Sequence, residues 1–150
     1  MVPPPDFLLD KARNYCAYQE RSLFDVKNKL LEWRASEETI EEIITKLENE
    51  NYLDEERYAR AFAVGKMRHN RWGRNKIFQA LKQKQIPDLT IQIGLQALDD
   101  EEYIHTLKAV LSTKKVEAKS EYIRQQKLVR YAAQKGFQPE LVWKVLKEEL

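Results

Sequence analysis

The stretches Ser22–Leu30, SLFDVKNKL, and Gly73–Leu81, GRNKIFQAL, lie 51 residues apart and agree in pattern rather than in letters. Each opens on a residue acceptable as a helix cap, Ser22 or Gly73. Each then sets apolar side chains at the same offsets, Val26 and Leu30 in one, Ile77 and Leu81 in the other. A second step of 51 residues reaches Leu128 and Ala132. Further along, Ile40, Ile91 and Val142 correspond, as do Ile44, Leu95 and Leu146; Leu47 and Leu98 continue the series, which breaks at Glu149. Spacings of three and four mark one face of a helix. A period of this length marks a tandem array, whose units bury against one another what none buries alone.

Each unit reads as three short helices. The first unit has stripes at Leu8, Ala12, Tyr15 and Cys16, then Val26 and Leu30, then Ile40, Ile43, Ile44 and Leu47. The second begins with Tyr58, Phe62 and Gly65, followed by Ile77 and Leu81, then Ile91, Leu95 and Leu98. The third begins with Ile104, Leu107 and Leu111, followed by Leu128, then Val142, Val145 and Leu146. Capping chemistry marks the boundaries. Ser22 with Asp25 makes a short capping box, and Asp54 precedes Glu55 and Glu56, acids suited to a helix N-terminus. Gly136 after Lys135 suits a helix stop, with Pro139 opening the last helix. The sequence thus predicts an all-α chain of three units, 1–53, 54–98 and 99–150, stacked into an elongated, curved array. The alternative is one compact nine-helix globule, and the period favours the array.

Composition is that of a folded, helix-rich chain: 43% hydrophobic and 33% charged residues, with four Gly and five Pro among 150. No apolar run approaches the roughly 20 residues that cross a bilayer, and MVPPPDF lacks the pattern of a secretory signal. The single cysteine, Cys16, lies on an apolar stripe and is expected buried and reduced. A cytoplasmic monomer is expected. Catalysis is not: His69 and His105 have no partners at metal-ligand spacing, no phosphate-binding glycine loop occurs, and Asp99–Glu102 sit at a predicted helix start. No cofactor or metal is expected. Trp33, Trp72 and Trp143 have rings able to stack on bases, but packing is the favoured assignment for each.

The net charge of +2 conceals a segregation of sign. Glu37–Glu56 carries nine acids and one base, and Arg57–Pro87 carries nine bases and no acid. Lys108–Arg130 is a weaker basic region, with seven bases and two acids. Such blocks mark separate surfaces or surfaces that face each other within the fold. Lys66, Arg68 and Arg71 fall at a predicted helix C-terminus, where cations complement the helix dipole by about 0.3–1 kcal/mol each. Arg74 and Lys76 fall in the first turn of the next helix, where cations oppose it, and the counterpart of Lys76 in the first unit is Asp25. A helix N-terminus opened by Gly73 and flanked by arginine suits an anion, bound through backbone amides and guanidinium forks. Lys82 and Lys84 extend this candidate docking face.

The runs NYLDEERYARAF and RWGRNKIFQALKQKQIP, from Asn51 to Phe62 and from Arg71 to Pro87, resemble the RecX family of recombinase regulators. Leu53, Asp54, Glu55, Arg57, Tyr58 and Ala59 match one family block; Gly73, Arg74, Ile77 and Leu81 match the next, with Ile86 at its closing corner. Asn51 and Gln85 stand where the family commonly has glycine. The resemblance implies a threefold helical repeat and a partner, the RecA filament on DNA. It also implies inhibition of RecA ATPase, strand exchange and coprotease activity in recombination, DNA repair and the SOS response, with the basic central unit meeting acidic RecA surface, DNA phosphate, or both. The alternative reading is a nucleic-acid-binding helical module, with Arg71, Arg74 and Lys76 turned toward DNA.

Overall fold

The computed structural model describes residues 3–148, and these contain nine α-helices and no strand. The first unit comprises α1 (Pro5–Tyr18), α2 (Leu23–Glu32) and α3 (Glu37–Asn49). The second comprises α4 (Glu55–Asn70), α5 (Arg74–Gln83) and α6 (Asp88–Leu95), and the third α7 (Asp100–Thr113), α8 (Glu121–Gln134) and α9 (Pro139–Leu146). Glu149, where the apolar series breaks, and the first two residues of MVPPPDF lie outside the described residues.

The helices start where the side chains supply caps. Ser22 and Asp25 form the expected capping box on α2, Asp54 accepts from the Arg57 amide at the start of α4, and Asp99 does the same for Glu102 on α7. The second helix of each unit ends in the same way. Arg34, Gln85 and Gly136, spaced 51 residues apart, all adopt positive φ (66°, 60° and 100°). Behind each of them an amide reaches back to close the helix: Ala35 to Leu30, Ile86 to Leu81 and Phe137 to Ala132.

The accessible surface of 9609 Å² exceeds the about 8,000 Å² of a compact globule of this mass. The first and third units share no hydrogen bond or ion pair among the described residues. These two observations decide for the array. Its units are not equivalent, however. Leu8, Ala12, Val26, Leu30, Leu47 and Leu53 belong to a core confined to the first unit. A second core runs without a break from Tyr58 to Val145 through both later units. The chain is therefore one unit joined to a fused pair.

Two details depart from the sequence reading. Along α4 the buried stripe is Tyr58, Ala59, Ala63 and Met67, and Gly65 lies off it, with nothing within 4 Å of where a side chain would begin. Small residues are needed at that stripe because Gly94 of α6 closes to within 2.8 Å of Ala59, measured from the position a Cβ would take. In the third unit the 51-residue period holds for the end of α8 and the start of α9 but not for α7. Helix α8 begins at Glu121, 47 residues after Arg74 rather than 51, and so has an extra turn, Glu121–Arg124, that α2 and α5 lack.

Candidate partner-binding face

The seven bases singled out in the sequence divide into two groups. Arg68 forms a fork with Glu102, at 2.7 and 3.0 Å. Arg74 lies over the Tyr103 ring at 4.9 Å and reaches Asp100 at 3.1 Å. Both arginines thus tie α4 and α5 to the start of α7, and the acids read as dipole partners also serve as their counterions. Lys82 pairs with Asp88 within the second unit, and Lys84 pairs with Asp25 across to the first. The basic block therefore meets acids at both joints between units, but the acids of these pairs come from α2 and α7 rather than from the acidic block Glu37–Glu56, whose Glu50 pairs with Arg13 of its own unit.

Lys66, Arg71 and Lys76 remain, and none has an acid partner among the described residues. They are brought together by the corner between α4 and α5. Arg71 ends α4 in the left-handed conformation (φ 55°), which turns the chain sharply and leaves its side chain in solvent. Trp72 follows, half-buried and edge-on to Phe62. The Lys66 ammonium lies 4.9 Å from the Trp72 ring centre and that of Lys76 lies 4.7 Å from it. Lys135 of the third unit donates to the carbonyl of Asn70, which adds a fourth cation at this corner. Two ammonium groups on one indole gain cation–π attraction while repelling each other. An incoming anion relieves that repulsion.

The backbone route to an anion is closed. The amide of Arg74 donates to the Tyr103 hydroxyl, that of Asn75 to the carbonyl of Gly136, and that of Gly73 to the carbonyl of Lys135. Gly73 is required for another reason: the turn before α5 packs directly on the turn after α8. The expected cradle of amides is thus a joint between units, and any anion must be held by side chains alone.

The residues of the two sequence blocks build the joints. Glu55 accepts from the amide of Leu23 and so caps α2 from the neighbouring unit; burial raises its pKa above the ordinary value. Arg57 donates to Glu20 of the first unit and to the carbonyl of Asn51, and the bond to Glu20 raises its pKa. Burial opposes ionisation of Asp25, but hydrogen bonds from Lys84 and the Ser22 amide prevail and hold its pKa below the ordinary value. Leu53, Tyr58, Ala59, Ile77, Leu81 and Ile86 are core residues. Between the first two units a cleft of about 480 Å³ has Lys66 on its wall, with Arg21, Asp25 and Lys84. Sequence reasoning missed the part played by Trp72 and Lys135; the lack of any acid around Trp72 was the signal available for the first, and no signal existed for the second.

Three family matches follow the chain in order: the first three-helix domain of RecX over residues 9–47, the second over 54–95 and the third over 100–146. Proteins named regulatory protein RecX are similar to it. That of Lactobacillus johnsonii is 36% identical over 96 residues, which are 64% of this chain and 35% of the relative. That of Enterococcus faecalis is 32% identical, over 91% of this chain and 52% of the relative, and that of Prosthecochloris aestuarii 28%, over 95% and 93%. The chain thus spans about half or less of the first two relatives and nearly all of the third. The crystal structure of RecX from Lactobacillus salivarius has the same fold (TM-score 0.83, 23% identity, 96% of this chain and 95% of that one). A second crystal structure, of a regulatory protein RecX, gives a TM-score of 0.79 at 26% identity, over 94% of this chain and 73% of that one. With its three domains matched in order and its whole fold shared, the chain belongs to the RecX family of regulatory proteins.

Proposed function

We propose that this chain is a cytoplasmic modulator of the RecA recombinase that binds the RecA filament on DNA and restrains its ATPase, strand-exchange and coprotease activities. The observation that carries this reading is the acid-free corner of Lys66, Arg71, Lys76 and Lys135 around Trp72, mounted on an extended array. An array of this kind reaches successive protomers of a filament, and modest contacts made together reinforce one another. Arg68, Arg74 and Lys84 support that face through the joints and Lys82 within the second unit, and Lys66, Arg71 and Lys76 contact the partner. Family membership supports a regulatory rather than a catalytic role.

The test is the ATPase of RecA on single-stranded DNA, titrated with this protein at low and moderate salt. Inhibition below one regulator per RecA protomer, weakened by salt, is the expected result. An unchanged ATPase together with binding to naked DNA overturns the proposal and favours the nucleic-acid module, whose phosphate contacts carry the steeper salt dependence.

A further inference from the structure

The extra turn of α8 is not needed for the packing of the repeat, since α2 and α5 complete their units without it. It nevertheless carries two of the few large apolar side chains exposed among the described residues: Tyr122, 61% exposed, and Ile123, 39% exposed. Tyr122 stacks on Trp143 of α9, with ring centres 6.1 Å apart and planes within 21° of parallel. Trp143 is itself packed on the shared core, so the tyrosine rests on a rigid base. Behind Trp143, Lys147 lies 5.4 Å from the ring.

The chain that leads into α8 is basic. The link 114–120, much longer than the corners before α2 and α5, carries Lys114, Lys115 and Lys119 against the single acid Glu117. None of these lysines has an ion-pair partner among the described residues, and Glu121 beside the platform is neutralised by Arg124. Lys114 turns away to the Tyr131 ring, 4.6 Å from its centre, so the cations offered to the platform are Lys119, three residues before Tyr122, and Lys147. An exposed ring on a fixed base, with unpaired cations beside it, is the arrangement that holds unpaired bases by stacking and their backbone by charge. Duplex DNA offers the same phosphates but keeps its base faces stacked internally, so it leaves the ring unused.

We infer that Tyr122, stacked on Trp143, with Lys147 at that ring and Lys119 three residues before it in the chain, is a base-stacking site for single-stranded nucleic acid. The site lies on the third unit, apart from the Trp72 corner, and its test needs no recombinase, so it stands or falls independently of the RecA reading.

The experiment is fluorescence anisotropy of the full chain with a labelled oligothymidine, an abasic strand of equal length and a duplex of equal length. The wild type is expected to bind oligothymidine more tightly than the abasic strand. Tyr122→Ala is expected to lose about fivefold or more of oligothymidine affinity, the loss of one stacked base, and Tyr122→Phe to keep it. Affinity for the abasic strand and the duplex is expected to stay unchanged in both variants. Equal affinity of the wild type for oligothymidine and the abasic strand overturns the inference, as does an equal loss of duplex binding in Tyr122→Ala. No measurable binding of the wild type to oligothymidine also overturns it. Circular dichroism of Tyr122→Ala verifies that the variant is folded.

Discussion

Gly73 and Gly136 meet backbone to backbone: a methyl group on Gly73 would fall 2.3 Å from the carbonyl carbon of Gly136, and one on Gly136 would fall 2.8 Å from the carbonyl oxygen of Gly73. Such distances lie far inside van der Waals contact. They let Gly73 donate to the carbonyl of Lys135 at 2.7 Å and Asn75 to that of Gly136 at 2.9 Å. The corresponding turns of the first joint are Ser22 and Gln85, both with side chains, and there the contact is made by Asp25 and Lys84 instead. This difference explains why the later units share one core and the first unit keeps its own.

Gly73→Ser gives the second unit the residue the first unit carries at that place, and it also supplies a better N-cap. The cap gain over glycine, only about 0.3 kcal/mol, is outweighed by the overlap with Gly136, since forced overpacking costs about 1–3 kcal/mol or more. The variant is expected to unfold at lower urea, whereas Ser22→Gly is expected to lose only its cap. A Gly73→Ser variant as stable as the wild type would show that the joint yields without strain.

The repeat, the nine helices and most caps were legible because they rest on local chemistry: Ser22, Asp54 and Asp99 cap within four residues of their own positions. The role of Gly73 was not legible, because its reason lies 63 residues away at Gly136, and nothing near Gly73 distinguishes a cap from a close crossing. The same limit applied to the bases. Their density between Arg57 and Pro87 was plain, but which of them meet acids depended on how α7 and α2 lie beside α5. The sequence period also concealed the extra turn of α8, because apolar positions later in that helix keep their register.

Arg34 and Gln85 occupy the left-handed position that Gly136 fills in the third unit. A side chain there costs about 1–2 kcal/mol in backbone strain, offset by the about 0.5–1 kcal/mol of chain entropy that glycine loses on folding. Arg34→Gly and Gln85→Gly, both at exposed sites, are each expected to raise stability by up to about 1 kcal/mol. Denaturant midpoints of the single and double variants check this, and the two gains are expected to add because the sites lie in different units.

Asp25 links acidity to the first joint. Its carboxyl is held below the ordinary pKa when folded, so at a pH near the ordinary value of about 3.9 the folded chain stays ionised where the unfolded chain takes up a proton. The stabilisation is complete above that value and is lost as the pH falls toward the folded pKa. Asp25→Asn is expected to be less stable than the wild type at neutral pH, by about 1 kcal/mol for the weakened capping box. The difference is expected to shrink as the pH falls below about 4. Urea unfolding of both proteins across this range measures it; a constant gap would mean that Asp25 acts through its shape alone.

Charge reversal separates the cations that bind from those that hold the fold. Lys76 is exposed in the first turn of α5 with no acid partner, so Lys76→Glu removes repulsion from Lys66 and sets a favourable charge at a helix N-terminus. Its stability is expected to match or exceed that of the wild type, while inhibition of the RecA ATPase falls. Arg74→Glu places a carboxylate beside Asp100 and withdraws the guanidinium from the Tyr103 ring. That variant is expected to lose stability through the second joint, and its inhibition is expected to fall only as far as the fold does. Thermal unfolding and ATPase titration of the two variants side by side test the assignment. Full inhibition by a well-folded Lys76→Glu would remove the Trp72 corner from the interface.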